Sequence, residues 1–101
     1  MMIENLEFTI EEGKNSYHDV VLFALSTCGF CRRALKFLRD NSIAFRFVYV
    51  DHLPIDVKNE VKSELRQKYD QRVVYPFMIL DGKEVTAGFR EDEWKEIFFI
   101  N

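Results

Sequence analysis

Leu6-Glu7-Phe8-Thr9-Ile10 alternates apolar and polar side chains, the period-two pattern of a short, half-exposed strand. The polar run Glu11-Glu12-Gly13-Lys14-Asn15-Ser16 then reads as a turn. Val20 to Leu25 is continuously apolar, as in a strand covered on both faces. Ser26-Thr27 ends that run and can supply hydroxyls to the free amides of a following helix. The spacing predicts that helix over about Gly29 to Asp40. Cys31, Ala34, Leu35 and Leu38 share one face, and Arg32, Lys36 and Arg39 share another. Lys36 and Arg39 read as a solvated face. Asn41-Ser42 stops the helix, and Ala44 to Val50 gives a second buried strand. Pro54 and Asp56 open a second helix with a stripe of Val57, Val61, Leu65 and Tyr69. A helix joining two strand patterns at this length implies a right-handed βαβ unit.

The second half changes character. Pro76 to Leu80 and Lys83 to Ala87 flank Asp81-Gly82, which signals a two-residue hairpin. Glu91-Asp92-Glu93 places acids at the start of a last helix, where they complement its dipole. Trp94, Ile97 and Phe98 form that helix's buried stripe. No linker, repeat or low-complexity segment interrupts the chain, so residues 1–101 read as one domain.

Composition narrows the classes. With 48% apolar residues and ten Phe, the chain builds a packed interior. A formal net charge of −3 argues against nucleic acid as the main partner. Ser26 to Arg39 is nevertheless locally basic. The longest apolar run is six residues, too short to span a membrane. The N-terminus has neither the basic start nor the apolar stretch of a signal peptide, and a cytoplasmic location is expected.

The two cysteines of the chain stand together as Cys28-Gly29-Phe30-Cys31, where a strand hands over to a helix. That placement is the mark of a thiol–disulfide redox site. The spacing also suits a shared metal. A thiolate at a helix N-terminus is stabilised by unpaired amides, and Arg32 and Arg33 in the first turn add positive potential. Cys28 is therefore expected to attack a substrate disulfide. Cys31, one turn further in, would resolve the mixed disulfide. Gly29 keeps the turn slim, and Phe30 is expected to be exposed and to suit a protein or aromatic-bearing substrate.

The element order, with Cys-x-x-Cys after the first buried strand and an X-Pro opening the third, resembles the thioredoxin fold. More narrowly the chain is similar to the glutaredoxins over residues 18 to 100, with residues 1–17 as an N-terminal extension. Three marks carry the resemblance: Thr27-Cys28-Gly29-Phe30-Cys31, then Val74-Tyr75-Pro76, then Ala87-Gly88-Phe89-Arg90-Glu91-Asp92. The implied architecture is a three-layer α/β/α sandwich. It holds a mixed four-stranded sheet plus a short extra N-terminal strand. Also implied are a cis Tyr75–Pro76 bond and a substrate groove formed by Thr27, Phe30, Tyr75, Pro76, Gly88 and Phe89. Arg90 is expected to pair on the surface with Asp92 or Glu93.

The departures point to the electron donor. Glutaredoxins that use glutathione usually carry Lys three residues before the first Cys, where Leu25 stands here. Tyr75 replaces the family's Val, and the doubled glycine is Ala87-Gly88. The segment Thr86 to Asp92 is instead similar to Trp-Ser-Gly-Phe-Arg-Pro-Asp of NrdH-type redoxins, which draw electrons from thioredoxin reductase. The expected activity is reduction of protein or low-molecular-weight disulfides by a monomer. A small thiol or thioredoxin reductase would serve as donor, and no cofactor is needed beyond the Cys28–Cys31 disulfide. The alternative is a homodimer bridging a [2Fe–2S] cluster, since Cys-Gly-Phe-Cys is close to the Cys-Gly-Phe-Ser of cluster-binding members. Zinc would need four ligands, and both His18 and His52 read as surface residues.

Overall fold

In the computed structural model of the chain, residues 3–101 are described, so Met1 and Met2 of the N-terminal extension lie outside the described residues. The chain runs through β1 (Thr9–Glu11), β2 (Val20–Ala24), α1 (Gly29–Asp40), β3 (Phe45–Tyr49), α2 (Ile55–Tyr69), β4 (Phe77–Leu80), β5 (Glu84–Ala87) and α3 (Glu91–Ile97). Single 3₁₀ turns at Ile3–Asn5 and Val50–His52 precede β1 and follow β3.

One sheet holds all five strands in the order β1-β3-β2-β4-β5. The pair β2 and β3 is parallel and joined by α1, which is the expected βαβ unit; the other three pairings are antiparallel. The extra N-terminal strand thus joins the sheet as an edge and makes it five-stranded. It is also shorter than the alternation over Leu6–Ile10 suggests. Leu6 and Phe8 pack against the core on the α2 side, and only Thr9–Glu11 pair with β3.

The all-apolar β2 still obeys a period of two. Val20, Leu22 and Ala24 face one core cluster with α1 and the Trp94 and Phe98 side chains; Val21 and Phe23 face the other with Val61 and Leu65 of α2. Both faces are covered, so no polar alternation survives in the sequence.

Two tertiary ties depart from the local pattern. Asp81 and Gly82 both adopt positive φ, and the Lys83 amide donates to the Leu80 carbonyl at 3.0 Å, as a two-residue turn requires. The ladder, however, pairs Leu80 with Glu84, so Lys83 is an extra residue and the connection has three. Arg39 is not a purely solvated side chain. Its guanidinium donates from Nε to Glu11 of β1 at 2.8 and 3.0 Å, and from Nη2 to the same carboxylate, fastening α1 to the edge strand.

Candidate active site

Helix α1 begins at Gly29 because Cys28 itself caps it. Cys28 is extended (φ −98°, ψ 125°), its carbonyl accepts the Arg32 amide at 3.0 Å, and its sulfur accepts the Cys31 amide at 3.4 Å. The hydroxyls of Ser26-Thr27, expected to cap the helix, are not used that way. The Ser26 amide donates to Asp51 Oδ1 at 2.9 Å and its hydroxyl donates to Asp51 Oδ2, while Thr27 is exposed. A sulfur already standing at the cap position leaves the preceding hydroxyl free for another partner.

The two sulfurs sit in unequal surroundings. Cys28 is half-buried, and Cys31 has 0% of its surface exposed. Burial works against ionisation of Cys28, but hydrogen bonds from Cys31 and the Phe30 amide, with the Arg32 charge, outweigh it and hold the thiol below its ordinary range. Burial pushes the Cys31 thiol up to about 12; the hydrogen bond with Cys28 and the negative charges of Cys28 and Asp51 add to this, opposed by the Leu25 amide that donates to Cys31 Sγ at 3.3 Å.

The expected groove residues have unequal surroundings. Phe30 is 56% exposed, and the Arg33 guanidinium lies 4.6 Å from its ring centroid. Arg33 therefore covers Phe30, whereas Arg32 is the arginine that acts on Cys28. The Tyr75–Pro76 peptide is cis, and Pro76 is fully buried. Tyr75 is half-buried between both core clusters, its hydroxyl buried without a hydrogen-bond partner. Gly88 has φ +86° and nothing within 4 Å of the place a Cβ would occupy; its amide donates to the Pro76 carbonyl at 2.8 Å. Its conformation, rather than crowding, selects glycine. Phe89 is half-buried, its ring packed on Trp94 at 4.7 Å and Phe37 at 5.8 Å. Arg90 pairs with Glu93 at 2.7 Å.

Among the described residues no three His, Cys, Asp or Glu side chains converge as metal ligands. No described helix is long and apolar enough to cross a membrane. The clasp of Ser26 by Asp51 carries no signal in the sequence, because its partners lie 25 residues apart on different elements.

The glutaredoxin family model matches residues 20–85. No curated protein matches the chain. Among solved structures, a glutaredoxin from Methanosarcina mazei Go1 is similar, with 29% identity, a TM-score of 0.75, and 92% of this chain and 88% of that one covered. Methanoredoxin of Methanosarcina acetivorans is 25% identical, with a TM-score of 0.76 over 89% of this chain and 94% of its own. A dithiolic glutaredoxin of Trypanosoma brucei brucei is 26% identical, with a TM-score of 0.63 over 81% and 80%. Matched by the family model over more than half its length, and folded like these proteins around its cysteine pair, the chain belongs to the glutaredoxin family of thiol–disulfide oxidoreductases.

Proposed function

We propose that the chain reduces protein or low-molecular-weight disulfides by a dithiol mechanism in which Cys28 attacks and Cys31 resolves. The observation that supports this most directly is the inequality of the two sulfurs: one half-exposed with a lowered pKa, the other buried with a raised one. The Cys28 thiolate attacks one substrate sulfur, a mixed disulfide forms, and the first substrate thiolate leaves and takes up a proton. Cys31 then gives up its proton to solvent and attacks the Cys28 sulfur. The second substrate thiolate leaves and is protonated. Two electrons have passed from the dithiol to the substrate, and the protein holds a Cys28–Cys31 disulfide.

In this reading Thr27 and Phe30 meet the substrate on one side of Cys28. Tyr75 and Pro76 flank the other, Gly88 keeps the backbone open, and Phe89 supports that wall from behind. Arg32 favours the thiolate, and Arg33 acts through Phe30. The donor is a small thiol other than glutathione, or a thioredoxin reductase. Leu25 supports that choice, since it is half-buried against both core clusters and offers no charge to a glutathione carboxylate. The protein works as a cytoplasmic monomer.

The second reading is a homodimer that bridges a [2Fe–2S] cluster with one thiolate from each chain. The half-buried Cys28, beside a fully buried Cys31, would be that thiolate. A colourless monomer after anaerobic reconstitution would overturn it.

The test offers the oxidised protein glutathione, another small thiol and thioredoxin reductase separately, and follows the loss of the disulfide. Cys28→Ser abolishes turnover, and Cys31→Ser accumulates mixed disulfides. Turnover surviving in Cys28→Ser overturns the mechanism, and fast reduction by glutathione alone overturns the choice of donor.

A further inference from the structure

The turn that carries Cys28 is held by a residue from another element. Asp51 lies in the 3₁₀ turn after β3 and takes both hydrogen bonds that Ser26 gives, from the amide at 2.9 Å and from the hydroxyl. The residue before Ser26 is Leu25, whose amide donates to Cys31 Sγ at 3.3 Å. Asp51, Ser26, Leu25 and Cys31 thus form one line of contacts from the end of β3 to the buried sulfur.

We propose that Asp51 is a positioning residue for the resolving sulfur, gripping Ser26 at two points so that the Leu25 amide stays aimed at Cys31 Sγ. This rests on the roles proposed above for Cys28 and Cys31. Two bonds to an ionised carboxylate fix a short segment more firmly than neutral ones. The Leu25 and Ser26 amides lie in consecutive peptide planes separated only by Leu25 φ and ψ, so holding Ser26 at two points limits how far the Leu25 amide can turn away from Cys31. The step served is attack of Cys31 on the Cys28 sulfur. The Cys31 proton passes to solvent, the Cys28–Cys31 bond forms, and the bond to the substrate breaks with the substrate leaving as a thiolate. The donated amide stabilises negative charge on Cys31 in that step, while the carboxylate charge opposes it beforehand. The titratable groups around the clasp are Cys31 and Cys28 from α1, and His52 next in the chain.

The experiment compares Asp51→Ala, Asp51→Asn and Ser26→Ala by two readouts. One is the midpoint potential of the Cys28–Cys31 couple in a dithiothreitol buffer, which needs no substrate. The other is the rate at which a preformed mixed disulfide on Cys28 releases its thiol, as a function of pH. Asp51→Ala slows release about tenfold, the size of one charge-assisted hydrogen bond, shifts the potential, and leaves Cys28 alkylation at its normal rate. Asp51→Asn keeps an acceptor for the Ser26 amide and removes the charge, so its release profile moves to lower pH. Ser26→Ala falls between wild type and Asp51→Ala. Unchanged potential and release in Asp51→Ala overturn the proposal, and so does an equal loss in alkylation and release. If the wild-type protein releases no thiol, the dithiol roles have failed, and the potential alone decides on Asp51.

Discussion

The backbone amide of Cys31 points at the sulfur of Cys28 across 3.4 Å, while the sulfur of Cys31 is wholly buried. One residue thereby supports the outer thiolate with its main chain and withholds its own side chain from solvent. The helix cap and the inequality of the two thiols are a single structural fact.

That geometry predicts how the reduced protein alkylates. Cys28 reacts with iodoacetamide along a pH curve whose midpoint lies below the ordinary thiol value of 9.0, because its thiolate accepts amides and feels Arg32. Cys31 stays unlabelled in the native protein. Arg32→Ala moves the Cys28 midpoint upward, and high salt shrinks the difference between the two proteins because the guanidinium is exposed. Mass spectrometry of labelled peptides checks both statements; labelling of Cys31 before Cys28 would contradict them.

The raised pKa of Cys31 sets a pH dependence of stability. The folded state holds the Cys31 proton up to about 12, whereas the unfolded chain loses it near 9.0. Above the unfolded value the unfolded state binds fewer protons, so stability declines as pH rises. The contribution is complete below pH 9 and is lost as pH climbs toward 12. Denaturant unfolding of reduced wild type against Cys31→Ser, which does not titrate there, isolates it. Parallel curves for the two proteins across this range would refute the assignment.

Phe30 carries a prediction about substrate rather than fold. It is more than half exposed, and the Arg33 guanidinium lies over its ring. Phe30→Ala changes stability by less than about 0.5 kcal/mol, as for other surface substitutions. It raises KM several-fold for disulfides flanked by apolar or aromatic groups and leaves Cys28 alkylation unaltered. Equal KM values for wild type and variant across such substrates would remove Phe30 from the groove.

What the sequence makes legible follows from the range of the interaction. Val20–Leu25, the α1 stripe and the Asp81-Gly82 turn are set by neighbours within a few residues, so their patterns appear in the chain order. The cysteine pair is legible for the same reason, as both thiols lie on one helical turn. Ser26 is misread as a cap because its partner Asp51 is distant and reaches it only when β3 lies beside β2. Arg39 looks solvated until Glu11 arrives from β1, 28 residues away. Phe89 carries no sign in the sequence of its packing on Trp94 and Phe37, because Phe37 lies on another element. The shift at Lys83 depends on ladder register, which the turn residues alone do not determine.

Two glycines separate the demands of fold from those of the site. At Gly13 an added Cβ would stand 2.3 Å from the Ser42 carbonyl oxygen and 2.7 Å from the Ile43 carbonyl carbon. There the N-terminal segment presses against the turn between α1 and β3. The Asn15 amide donates to Ser42 at 2.9 Å, and the Ala44 amide to Asn15 at 2.8 Å. Backbone on both sides leaves nothing flexible to yield, so Gly13→Ala destabilises the protein by about 1–3 kcal/mol, the usual cost of forced overpacking. At Gly29 an added Cβ would meet only the Arg32 guanidinium, at 3.9 Å, on the first residue of α1. Gly29→Ala therefore stabilises the fold by up to about 1 kcal/mol through the unfolded chain, while the new methyl group beside Cys28 lowers kcat/KM for bulky disulfides. Urea midpoints of the two variants move in opposite directions. A Gly13→Ala protein as stable as wild type would mean that the N-terminal segment does not pack against the α1–β3 turn in solution.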